Sequence, residues 1–137
     1  MAESIVHINY VRKMVDYLSV LIPIGDRSLV LVDLPESSRK PDRTIGNFIP
    51  DLYYKNTGCL IIGEAKTEND IDRKHSIDQF ESYIVETSLF NGESHIVICT
   101  SLYSFARIKN LIRRMKMEQN SLTIFHIIDD IERISII

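Results

Sequence analysis

Two rhythms of apolar and polar positions divide this chain. From Ile5 to Leu21 apolar residues recur at three- and four-residue intervals (Ile8, Val11, Val15, Leu18, Ile22), which predicts a helix ended by Pro23 and Gly25. An adjoining stripe of Glu3, His7, Tyr10, Met14 and Tyr17 puts His7 at the edge of the buried face. Ser28 to Leu34 reads as a first strand, and Pro35 to Gly46 as a loop whose prolines cannot sit inside a ladder. Ile49 to Lys55 and Gly58 to Thr67 predict a β-hairpin, joined by Asn56-Thr57-Gly58, a turn composition that supplies positive-φ residues. A second helix follows over about Asp72 to Leu89, with Ile77, Phe80 and Ile84 as its core line and Asn91-Gly92 as its stop. Then come a strand from His95 to Thr100, a helix from about Leu102 to Glu118 and a strand from Leu122 to Ile128. The tail, Asp129 to Ile137, is too apolar to float free and is expected to pack on the core or on another subunit. The order αβββαβαβ predicts an α/β fold with a central mixed sheet flanked by helices, including a parallel crossover near its end.

The hairpin concentrates the chemistry. A fold-back centred near Thr57 puts Asp51 opposite Gly63 or Glu64, so two carboxylates become neighbours. Strand alternation gives Leu60, Ile62, Glu64 and Lys66 one face and Cys59, Ile61, Gly63 and Ala65 the other. Like charges across a ladder, roughly 5 Å apart at Cβ, destabilise the pairing by up to about 1 kcal/mol. A hard divalent cation such as Mg²⁺ relieves that repulsion, and Lys66 points an amine toward the same pocket. Against this stands the plainer reading of Glu-x-Lys as a solvated strand exit, since Asp72-Arg73-Lys74 repeats the acid-x-Lys pattern with no strand before it. In the next helix Gln79 and Tyr83 sit four apart on one stripe with His75, so their tips address one place.

Pro50-Asp51 followed by Glu64-Ala65-Lys66 resembles the PD-(D/E)xK nuclease signature, and Gln79-Phe80-Glu81-Ser82-Tyr83 resembles the QxxxY element of RecB-type members. The resemblance spans Asn47 to Tyr83 in motifs and the whole chain in the order of its elements. It implies a restriction-endonuclease-like fold in which Asp51 and Glu64 hold Mg²⁺, with Mn²⁺ as a substitute, the Ala65 carbonyl adds a ligand, and Lys66 is the catalytic lysine. Gln79 and Tyr83 would orient the lysine or contact the DNA strand, and His7, matching the upstream helical histidine of RecB-type members, would be a further metal ligand. The expected activity is hydrolysis of DNA phosphodiesters. The chain has the size of the catalytic core alone, so the expected partners besides DNA are a second copy, as a homodimer, or a specificity protein.

Composition narrows the rest. A length of 137 residues, 45% hydrophobic and 26% charged, fits one soluble globular domain, and no apolar run approaches the roughly 20 residues of a membrane span. No signal-peptide pattern opens the chain, which makes the cytoplasm the default location. Cys59 and Cys99 lie in apolar runs and are expected to be buried reduced thiols, which argues against a four-cysteine iron–sulfur cluster. A net charge of −3 requires any DNA contact to be local. The candidates are Arg39, Lys40 and Arg43 in the loop before the motif strand, and Arg73 and Lys74 after it. The basic run Arg107, Lys109, Arg113, Arg114 and Lys116 reads first as a solvated helix face. Two other classes compete: a non-catalytic interaction or DNA-binding module on the same fold, and a small-molecule binder, which lacks a glycine-rich phosphate loop.

Overall fold

A computed structural model describes residues 4–67 and 74–137. Helix α1 spans Ile5–Tyr17, and a 3₁₀ turn continues it over Leu18–Val20. Strands β1 (Leu31–Val32), β2 (Leu52–Lys55) and β3 (Cys59–Lys66) follow, then α2 (Lys74–Leu89), β4 (Glu93–Thr100), α3 (Phe105–Glu118), β5 (Ile124–Ile128) and β6 (Ile134–Ile136). Among the described residues the strands form one open six-stranded sheet in sequence order, β1-β2-β3-β4-β5-β6. Pairings β1–β2, β2–β3 and β5–β6 are antiparallel, and β3–β4 and β4–β5 are parallel. The fold is therefore α/β with a mixed sheet.

Two apolar clusters sandwich the sheet. Leu60, Ile62, Ile96, Ile98, Phe125 and Ile127 pack under α2 and α3, while Ile61, Ala65, Val97 and Cys99 pack under α1. The alternation expected along β3 is thus real, and Glu64 and Lys66 project to the α2 side. Buried positions on both faces explain the near-continuous apolar character of β3 and β4.

Four expectations change. The span Ser28–Leu34 pairs only at Leu31–Val32, because Ile24–Leu29 is wound into a 3₁₀ helix. The tail adds β6 to β5, giving αβββαβαββ instead of αβββαβαβ. The hairpin turn uses no positive φ: the Asn56 N–H bonds the Cys59 carbonyl at 2.9 Å, and the Asn56 side chain accepts from the Gly58 N–H at 2.9 Å, an Asx turn that any backbone can adopt. The buried line of α1 is Tyr10, Val11 and Met14, rotated toward the stripe that carries His7, while Ile8 and Val15 are only partly buried.

The two sheet edges differ. At β1 the outward Val32 N–H is taken up by the Arg39 carbonyl at 3.4 Å. At β6 the Phe125–Ile137 bonds in both directions fix an alternation in which Ile134 and Ile136 turn their N–H and C=O away from β5. A buried polar chain also ties α1 to the sheet: Tyr17 Oη lies 2.7 Å from His126 Nδ1, His126 Nε2 lies 2.8 Å from His95 Nδ1, and His95 Nε2 lies 2.6 Å from Glu93 Oε1. Burial, and then the neighbouring His95, push His126 down to about 4, so its ring stays neutral at pH 7.

Gly63 opposes Leu52 in the β2–β3 ladder, and a Cβ there would stand 2.9 Å from the Leu52 Cβ and 3.4 Å from the Met14 sulfur. Leu52, and β2 with it, would have to shift, while the Met14 sulfur stands at the edge of ordinary contact. Gly63→Ala is expected to destabilise the protein by roughly 1–3 kcal/mol. Urea unfolding measures this, and a neutral effect would mean that the β2–β3–α1 packing is looser than described.

Candidate active site

Each polar side chain of the site is delivered by a local structural reason. Pro50, which cannot donate to a ladder, precedes β2, and the Asp51 N–H bonds the Gly63 carbonyl at 3.0 Å. The register ends at Leu52–Gly63, and Asp51 shares the same Gly63 partner one place off it, which brings the Asp51 carboxyl into contact with Glu64. Ser4 caps α1 by accepting the His7 N–H at 3.0 Å, so His7 occupies the first turn and its Nε2 reaches Asp51 Oδ1 at 3.2 Å. Asp51 Oδ2 accepts the Ala65 N–H at 2.8 Å. In an extended strand N–H and C=O of one residue face the same edge, so the Ala65 carbonyl also faces the Asp51 side.

From the other face α2 closes the arrangement. Gln79 donates through Nε2 to Glu64 and accepts through Oε1 from the Lys66 amine at 2.5 Å. Tyr83, one turn on, donates to Glu64 Oε1 at 2.9 Å and lies 3.1 Å from Gln79 Nε2. The Lys66 amine also stands 5.7 Å from the centre of the Phe80 ring. One carboxamide thus links the acid and the amine that strand alternation put on one face. Asp51, Glu64, Lys66, Gln79 and Tyr83 are all buried.

The electrostatics treat the two acids differently. Burial raises Asp51, but its hydrogen bond with Glu64, the contact with His7 and the Ala65 N–H outweigh burial and hold it below its ordinary value. Burial, then the charge of Asp51 and the hydrogen bond with it, hold Glu64 well above its ordinary value despite Lys66 and Tyr83. The surroundings thus push the two acids apart, favouring the ionised form of Asp51 and the protonated form of Glu64. Burial, and then the Glu64 charge, raise Tyr83 far above the usual phenol range and keep it a hydrogen-bond donor.

Among the described residues no three His, Cys, Asp or Glu side chains gather where they could hold a metal ion. His7, Asp51 and Glu64 form a line, with Asp51 between the other two. Two adjacent carboxylates fit a cation that takes one or two carboxylates and otherwise waters and substrate oxygens, as Mg²⁺ does. A cavity of about 440 Å³ lined by Ser4, Val6, Tyr10, Thr67, Ser101, Tyr103 and Asp130 opens beyond the carboxyl ends of β3, β4 and β5; it reaches Thr67, the residue after Lys66, but none of the site side chains lines it. Ligands of open α/β sheets bind at that end. A larger cleft, about 870 Å³, lies between the hairpin turn and the end of α2 and likewise contains none of the site residues.

The basic residues are not gathered here. Lys40 pairs with Asp33 at 3.2 Å, beside the site only in that the Asp33 N–H bonds the Asp51 carbonyl at 2.9 Å. Arg43 donates to the Asn47 carbonyl at 3.0 Å and lines a cleft with Tyr53 and Glu86. Arg39 is exposed. Lys74 forms an exposed intrahelical pair with Asp78 at 2.8 Å. Arg73 and Glu3 lie outside the described residues. Both cysteines are free, and burial raises both thiols, Cys99 to about 12. Two site neighbours escaped the sequence reading. Phe48 sets its ring 6.4 Å from Tyr83 and 5.5 Å from His75. Thr100 lies across the ladder from Lys66; its sequence signal was the common end of two parallel strands.

No known protein family, curated protein or solved structure matches the chain.

A raised glutamic acid gives a signed pH dependence. Its contribution to stability is complete below the ordinary glutamate value of 4.5 and is lost as pH rises toward the folded-state value, because the unfolded chain releases that proton first. In EDTA, Glu64→Gln, which mimics the protonated acid, is expected to gain stability relative to the parent as pH rises from about 5 to 8. Denaturant unfolding at several pH values measures it, and parallel curves would exclude a protonated Glu64.

Proposed function

We propose that this protein is a Mg²⁺-dependent DNA phosphodiester hydrolase of the PD-(D/E)xK type, built on a restriction-endonuclease-like core. The observation that carries the reading is the meeting of Asp51, Glu64 and Lys66 at one end of the sheet, with Gln79 joining acid to amine. Asp51 and Glu64, with the Ala65 carbonyl, would hold Mg²⁺ or Mn²⁺. When bound, the ion supplies charge compensation and an acidified water. His7 fixes the orientation of Asp51, and Tyr83 that of Glu64. Lys66 contributes a donor to the charge that develops on a phosphodiester, and Gln79 sets where that amine points. Lys40, beside Asp33, and the exposed Arg39 are the loop cations nearest the site in the chain of bonds. Cutting both strands would call for a second copy or a partner protein. The implied setting is cytoplasmic, and among the described residues no helix is long and apolar enough to cross a membrane.

One observation favours the alternative, a non-catalytic interaction or DNA-binding module: the acids and the amine satisfy one another and are buried, so a substrate must displace Gln79 to reach them. Incubation of the purified protein with single-stranded, duplex and branched DNA, in Mg²⁺ or EDTA, separates the two. Metal-dependent cleavage is expected, reduced about a hundredfold or more in Lys66→Ala with the circular dichroism unchanged. Equal rates in the parent and Lys66→Ala would remove Lys66 from the chemistry, and no cleavage of any DNA form would favour the module.

A further inference from the structure

Thr100 is the last residue of β4 and pairs in register with Lys66, the last residue of β3. It follows Ile98, which packs under α2 and α3, by two positions, so its side chain projects to the same face as Lys66. It is completely buried, and among the described residues its hydroxyl has no hydrogen-bond partner. On its other flank Asp129 is engaged elsewhere: Oδ1 accepts the N–H groups of Ile131 and Arg133 at 3.0 and 2.8 Å, and Oδ2 accepts Arg133 Nε at 2.6 Å. Across the ladder on β3 the side chain in register with Thr100 is Lys66, one strand spacing away, about 4.8 Å between backbones.

The Lys66 amine carries more donors than its bond to Gln79 uses. Gln79 is itself tied to Glu64, the residue whose surroundings must change most if an ion or substrate enters. We propose that Thr100 is a positioning residue for Lys66: its hydroxyl is the second acceptor that holds the amine at the sheet end when the Gln79 carboxamide leaves it. A buried hydroxyl without a partner destabilises the resting protein, and a standby acceptor accounts for its presence. The inference rests on Lys66 being the working amine of the site proposed above.

Three readouts test it. Thr100→Val removes the hydroxyl at nearly constant shape and is expected to raise Tm by about 3–6 °C. DNA cleavage by the same variant should fall about tenfold in kcat with KM unchanged, and Thr100→Ser should recover to within about threefold. Labelling of Lys66 by acetic anhydride, mapped by mass spectrometry, should be severalfold faster in Gln79→Leu/Thr100→Val than in Gln79→Leu alone. A Thr100→Val protein that cuts at the parental rate, or that loses stability and activity together, overturns the proposal. If the parent protein cuts no DNA, the nuclease reading falls, and the labelling comparison alone decides Thr100: equal rates reject it.

Discussion

Two acids in contact inside a protein cannot both be charged unless something positive lies between or beside them. Asp51 and Glu64 are held in that situation by a backbone ladder, which cannot relax by rotating a side chain away. The groups around them divide the problem. Asp51 takes the donors that favour ionisation, from Ala65 and His7, and Glu64 takes the burial that favours protonation. Gln79 and Tyr83 then fit either state of Glu64, since an amide N–H and a phenol O–H can donate to an acid or to its anion. The region is arranged around two acids whose mutual repulsion their surroundings divide unequally between them.

The scaffold makes that conflict persist. β3 is the shared strand between an antiparallel hairpin and a parallel crossover, so its carboxyl end is fixed on one side by β2 and on the other by β4. Gly63 lets Leu52 and Met14 close over the strand one residue before Glu64. On the opposite face, the Phe80 and Ile84 line of α2 anchors that helix in the core, and the helical period turns Gln79 and Tyr83 toward the strand end. Core packing and site geometry are therefore set by the same few residues.

What could be read in advance was what depends on local period. The hairpin register, the shared face of Glu64 and Lys66, and the common stripe of Gln79 and Tyr83 all follow from the spacings of two and four. What could not be read depended on choices between near-equal local patterns. α1 carries apolar residues on two adjoining stripes, and only the sheet beneath it selected Tyr10 and Met14 over Ile8 and Val15. Ser28–Leu34 has strand composition, yet the 3₁₀ helix Ile24–Leu29 takes its first two residues and the ladder holds only Leu31 and Val32. The tail alternates only over Ile134-Ser135-Ile136, too short a run to signal a strand, so β6 could be expected to pack but not to pair. Thr100 has no motif of its own and acquires meaning only from parallel alignment with Lys66.

The unlike borders of the sheet give the molecule a direction. On the β1 side the outward donor is already engaged by the chain's own loop, and the strand is two residues long. On the β6 side two isoleucines face outward with both backbone groups available and with half or more of each residue's surface exposed. Extension of the sheet by any added strand is thus one-sided. It would proceed away from the hairpin, leaving the Asp51–Glu64 end unobstructed.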